Sequence, residues 1–148
     1  PEKAVSMISA VRKRIDHDII LMGSNKEAAF VEEVFKGLPD KKNITNMAGK
    51  TSLSSLVQLL GSSSAMLTTD SGPAHVANAL GVHTVVLFGA GNENNTAPYN
   101  ANKRTIIRLG QLSCEPCVSN VCKVYGIPEC LLRLDEELIV ASVSAALP

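Results

Sequence analysis

Tryptophan is absent from the 148 residues, and two Tyr and three Phe leave little from which to build a base-stacking platform. No excess of charge of one sign is present either. Fourteen basic and fourteen acidic side chains give a formal net charge of zero, without the electrostatic footprint of a nucleic-acid or anionic-membrane binder. No apolar run is long enough to cross a bilayer, and no basic-then-apolar leader opens the chain. Four cysteines, all between Cys114 and Cys130, are too few and too clustered to staple a secreted mini-protein, so a reducing, cytoplasmic compartment is expected. Internal repeats and low-complexity segments are missing too. What remains is ordinary globular composition, 45% apolar and 19% charged, expected to fold as one domain (1–148) around a single core. The chain opens on Pro1, without a methionine, at the head of an apparent helix, and so reads as a piece of a longer protein.

Helical and strand periods alternate along the chain. Val5, Ile8, Val11 and Ile15 recur at helical spacing over 2–15. A short buried strand follows at 18–22, then a helix over about 26–36 carrying Phe30, Val31, Val34 and Phe35, broken by Gly37 and Pro39. Residues 44–48 form a weak strand, and Ser52 is placed to cap a helix that stops near Gly61. The clearest unit comes next: a strand over 65–69, the turn Asp70-Ser71-Gly72, a helix starting at Pro73 and ending at Gly81, and a strand over 84–88. Residues 92–102 read as a long, Asn-rich loop, 104–109 as another strand, and Asp135 as the cap of a final helix. Strand–helix alternation with short connections predicts an α/β fold, a doubly wound parallel sheet of Rossmann-like type. Ligands of such sheets sit beyond the carboxyl ends of the strands. Here those ends are 23–27, 48–51, 69–72 and 89–92, all rich in Gly and small polar residues.

Asp70-Ser71-Gly72-Pro73-Ala74-His75 is the sharpest local signal. A turn into a helix N-terminus leaves backbone N–H groups free at the positive end of the helix dipole. Ser71, Gly72 and Ala74 are placed to donate to a phosphate, Pro73 has no N–H, and His75 can reach the same anion from the first helical turn. The bland alternative is an ordinary capped helix with a solvated His75. The segment is neither a Walker A loop nor a Gly-x-Gly-x-x-Gly dinucleotide fingerprint.

The run from Thr69 to Gly81 followed by Val85-Val86-Leu87-Phe88-Gly89 resembles the family 9 glycosyltransferases, the ADP-heptose:lipopolysaccharide heptosyltransferase family. Upstream, Gly23 with Glu27 and the segment Ala48-Gly49-Lys50-Thr51-Ser52-Leu53 resemble further family elements. Downstream, Cys114-Glu115-Pro116-Cys117, Cys122 and Cys130-Leu131 resemble the cysteine pattern of many members. The resemblance spans about residues 1–145 in the family's order.

The resemblance implies a fold of GT-B type, with two facing Rossmann-like halves, of which this chain matches most of the C-terminal, donor-binding half. Ser71, Gly72 and Ala74 would meet the diphosphate with His75 nearby, and Asp70 would lie near the sugar or the phosphates. Glu27 would serve the ribose hydroxyls, and the Thr51 backbone the adenine edge. The activity implied is transfer of heptose, or a related sugar, from an ADP-sugar to the lipopolysaccharide core or a lipid A precursor. The whole enzyme would be cytoplasmic, peripheral at the inner face of the inner membrane. No DxD-like pair suggests a metal-bound diphosphate, so a metal-independent in-line displacement at the anomeric carbon is expected, with no cofactor. Fixed N–H donors and His75 suit the charge that builds on the leaving group. Two departures stand out. The strand and donor-contacting lysine that precede the first helix in members are not in this chain, and neither is the N-terminal half with its acidic base, so the chain by itself is not expected to turn over. After Phe88-Gly89 the chain reads Ala90-Gly91-Asn92, where many members carry Pro-Thr.

Cys114, Cys117, Cys122 and Cys130 could supply four thiolates to a tetrahedral zinc, but their intervals lack paired Cys-x2-Cys knuckles. The alternative is reduced thiols packed against the sheet. His17 and His83 read as solvated, and Arg12-Lys13-Arg14 as a helix's polar face. Two other function classes stay open at this level: a non-catalytic nucleotide- or nucleotide-sugar-binding module, and a zinc-containing interaction domain.

Overall fold

A computed structural model describes residues 1–148. The fold is α/β with parallel strands, and the chain divides into two compact units, Pro1–Leu56 and Val57–Pro148.

In the first unit the helical period becomes α1 (Glu2–Arg14) and α2 (Ala28–Gly37), which pack on each other. Two three-residue strands, β1 (Ile19–Leu21) and β2 (Ile44–Asn46), pair in parallel with Ile19 opposite Ile44. Leu21, Leu38 and Ile44 form the buried centre, against which Val5, Ile8, Ile19, Val31 and Phe35 pack. Helix α3 (Leu53–Gly61) starts in this unit and ends in the second. As its sequence indicates, the Ser52 hydroxyl caps it, accepting from the Ser55 N–H at 3.2 Å.

The second unit holds a three-stranded parallel sheet in the order β3 (Ala65–Thr69), β4 (His83–Phe88), β5 (Arg104–Arg108). The central strand β4 is buried from Thr84 to Phe88 because both its faces are covered. Val86 and Phe88 meet Ala74 of α4 (Gly72–Ala79), with Ala97 and Ile106 alongside. The alternation of the strand turns Val85 and Leu87 to the other face, and α7 (Glu136–Ala146) packs on β4 and β3 through its buried residues Ile139, Val140 and Val143. Gly81, at φ +82°, ends α4 in the left-handed conformation that glycine adopts without strain.

Several expectations change in detail. The strands lie in two separate parallel sheets, of two and three strands, where one doubly wound sheet was expected. Strand existence is written locally, whereas partner choice is non-local and leaves no period to read. The stretch 92–102 is not structureless. It holds α5 (Glu93–Thr96) and a 3-10 turn (Ala101–Lys103), each opened by an asparagine: Asn92 accepts from the Asn94 N–H and Asn100 from the Asn102 N–H. The asparagines are therefore caps. Pro73 is the second residue of α4, not the first, with Ser71 in the capping position, and its missing N–H is equally harmless there. His83 is not solvated. It is the first residue of β4 and shares a hydrogen bond of 2.9 Å between Nε2 and the Thr105 hydroxyl on β5. A short helix, α6 (Glu129–Leu132), had no sequence signal.

Candidate functional site

Five of the seven proposed donor-site residues come together at the carboxyl end of β3. Asp70 leaves the strand, Ser71 turns the chain in extended conformation (φ −159°, ψ 160°), and α4 begins at Gly72. The Ser71 hydroxyl does not cap the helix. It faces the Thr68 hydroxyl at 3.2 Å. The Ala74 N–H donates back to the Ser71 carbonyl at 3.1 Å, while the Ser71 and Gly72 amides make no such bond. Of the three amides proposed from the sequence, these two are the uncommitted ones, and Ala74 itself is buried. A side chain added at Gly72 would meet nothing within 4 Å, so the space over its backbone is open. His75 is exposed in the first turn of α4, on the same approach.

Asp70 is held from its far side. The Thr96 hydroxyl donates to Asp70 Oδ2 at 2.9 Å, and a Cβ at Gly91 would sit only 2.5 Å from the same oxygen. A side chain at 91 would therefore have to displace the Asp70 carboxylate. The turn containing Gly91 follows β4. Arg108, opposite Phe88 in the β4–β5 register, reaches it from the end of β5. Its Nη1 donates to the Gly89 carbonyl at 2.8 Å, its Nη2 to the Gly91 carbonyl, and its Nε to Glu93 Oε2 at 2.8 Å. The guanidinium lies 5.8 Å from the centre of the Phe88 ring. Hydrogen bonding and charge from Arg108 hold the Glu93 carboxyl below its ordinary value. Glu115, whose side chain is 4% exposed, adds a second carboxylate 3.9 Å from Nη1 and accepts from the Gln111 and Leu112 amides. Neither Arg108 nor Thr96 stood out in the sequence, because each acts through a partner 17 or 26 residues away.

Glu27 and Thr51 lie in the first unit. Glu27 precedes α2, and its Oε2 accepts from both the amide (2.8 Å) and the hydroxyl (2.7 Å) of Ser24, which lowers its pKa and leaves Oε1 for another donor. Gly23, after β1, accepts at its carbonyl from the Gly49 N–H at 2.9 Å, and Gly49 takes φ +71°. Those contacts tie the turn bearing Glu27 to the one leading to Thr51.

The four cysteines are free. No group of three or more His, Cys, Asp or Glu side chains is gathered as a metal site, at Cys114, Cys117, Cys122 and Cys130 or elsewhere. Not all four pack as buried thiols: Cys117 is exposed. Burial first and the Glu115 charge second push the Cys130 thiol up. No helix is long and apolar enough to cross a membrane.

Comparison with known proteins gives the family. The family model for glycosyltransferase family 9 (heptosyltransferase) matches residues 5–127. Lipooligosaccharide heptosyltransferase 2 of Campylobacter jejuni is 26% identical over 129 residues, which is 86% of this chain and 40% of that protein. The enzyme of the same name from Haemophilus influenzae is 37% identical over 93 residues, 62% of this chain and 27% of that one. The structure of Escherichia coli ADP-heptose lps heptosyltransferase II superposes with a TM-score of 0.76 and 25% identity, over 97% of this chain and 40% of that chain. A family 9 glycosyltransferase from Veillonella parvula, at 21% identity and a TM-score of 0.75, shares the fold. The chain spans about two fifths of the length of the first of these relatives. With the family model covering most of its length, this chain belongs to glycosyltransferase family 9, the heptosyltransferases.

Proposed function

We propose that residues 1–148 are one nucleotide-sugar-binding domain, the donor-binding half of a GT-B glycosyltransferase that moves heptose, or a related sugar, from an ADP-sugar to the lipopolysaccharide core. The observation that carries this reading is the turn into α4. Two uncommitted amides, Ser71 and Gly72, open space over Gly72, and an exposed imidazole one turn along make a phosphate seat without a nucleotide fingerprint loop. As the bond from the anomeric carbon to the diphosphate breaks, negative charge builds on the leaving oxygens. Amides fixed by a helix terminus stabilise that charge with little reorganisation. Only one carboxylate, Asp70, lies in the turn, and Thr96 already engages it, so the seat is built from N–H donors rather than from a pair of metal-binding acids. In the first unit the same reading gives Glu27 Oε1 a ribose hydroxyl and the Thr51 backbone the adenine edge.

Calorimetric titration with ADP, ADP-heptose and UDP tests it. Saturable binding of the adenine compounds in preference to UDP is expected, weakened about three- to tenfold in His75→Ala by loss of one charge-assisted contact. A folded chain that binds none of them, or binds UDP equally well, overturns the reading.

A further inference from the structure

We propose that Arg108 is a positioning residue for the donor sugar: it clamps the turn after β4 against Asp70 and thereby fixes the Asp70 carboxylate. The inference rests on the donor-site reading above and adds to it a residue that touches no ligand.

Sequence register sets up the clamp. Pairing of Phe88 with Arg108 places the guanidinium beside the first residues after β4, where it bridges the carbonyls of Gly89 and Gly91 and binds Glu93 with its third edge. Planar guanidinium has five donors in a fixed fork, so three acceptors can be met at once. A lysine ammonium, a single point, cannot span them. The turn so fixed is pressed on Asp70: Gly91 leaves no room for a Cβ beside Oδ2, and Thr96, in the helix that opens four residues after Gly89, donates to that same oxygen. Oδ2 is therefore committed on the protein side, and Oδ1 is left for a ligand. A carboxylate repels a diphosphate but accepts readily from hydroxyls, so the group that Asp70 serves is the sugar and not the phosphates. The Glu115 carboxylate, buried with its Oε1 lacking a hydrogen bond, faces the same guanidinium and backs the clamp electrostatically.

The proposal separates two affinities that a merely structural role would move together. Titrations of the chain with ADP and with ADP-heptose would compare wild type with Arg108→Gln, Arg108→Lys and Thr96→Val. Arg108→Lys keeps the charge beside Glu93 and Glu115, and Thr96→Val disturbs no buried charge, so both answer even where Arg108→Gln fails to fold. In each folded variant ADP-heptose binding is expected to weaken about tenfold or more while ADP changes less than about threefold. Equal losses for both ligands, or no loss for ADP-heptose, overturn the clamp and leave the donor site standing. Absence of ADP binding by the wild-type chain would instead overturn the donor-site reading itself, and this inference with it.

Discussion

Asn78 shows how much one polar side chain can organise. It is 2% exposed on α4, donates from Nδ2 to the carbonyls of Asn100 (3.1 Å) and Lys103 (2.9 Å), and accepts at Oδ1 from the Asn100 N–H (2.8 Å). Asn78→Leu keeps the volume but leaves three part-buried backbone groups without their partner. A loss of about 2–4 kcal/mol is expected in chemical denaturation. Glu27 makes a prediction of the opposite accessibility. Its pKa is lowered by the Ser24 hydroxyl first and the Ser24 amide second. A depressed carboxylate adds stability above its unfolded value, ordinarily 4.5, and loses it as pH falls through the folded value. Melting temperatures of wild type and Glu27→Gln should therefore differ at pH 6 and converge as the pH falls below 4.5 and through the lowered folded value. At this scale the sequence was partly legible. Asp70 to His75 could be read because the turn and helix start that assemble them are contiguous. Arg108 could not, since its acceptors are chosen by strand register and not by spacing along the chain.

Elements were the most legible level, for a physical reason: caps and periods act within four residues. Asp135 accepts from the Glu137 N–H at 2.9 Å and opens α7, as its place before an apolar period indicates. Asp135→Ala is expected to cost about 1 kcal/mol, measured by denaturant unfolding, and Asp135→Asn much less. The same short-range logic explains the miss at 92–102. A cluster of asparagines supports loop and cap equally well, and only the structure shows that Asn92 and Asn100 open two short helical turns. Helix α6 escaped notice because a four-residue helix has too few positions to display a period.

For the molecule as a whole, charge balance was legible from counting alone, and it carries a prediction. With fourteen charges of each sign there is no excess to release counterions from a polyanion. Fluorescence anisotropy of a labelled DNA duplex should stay flat up to about 100 µM protein at roughly 0.15 M salt, across the usual non-specific range of about 1–100 µM. Architecture was legible as a class and not as an arrangement. Alternating periods gave α/β with parallel strands, while the division into Pro1–Leu56 and Val57–Pro148, each with its own sheet, depends on which strands meet. Strands of three residues, as at β1 and β2, offer too little pattern to specify a partner.

The crowding around the turn after β4 also sets where this site can vary. A side chain at Gly89 would run into Leu131 at 2.8 Å and into the Cys130 sulfur at 3.2 Å, and one at Gly91 into Asp70. Ala90 stands between them, its carbonyl held by the Val118 N–H but its side chain not subject to either clash. Inheritance and engineering alike thus have one adjustable letter between two fixed ones. On the donor-site reading, changes in sugar preference are expected through substitution at 90 rather than at either glycine.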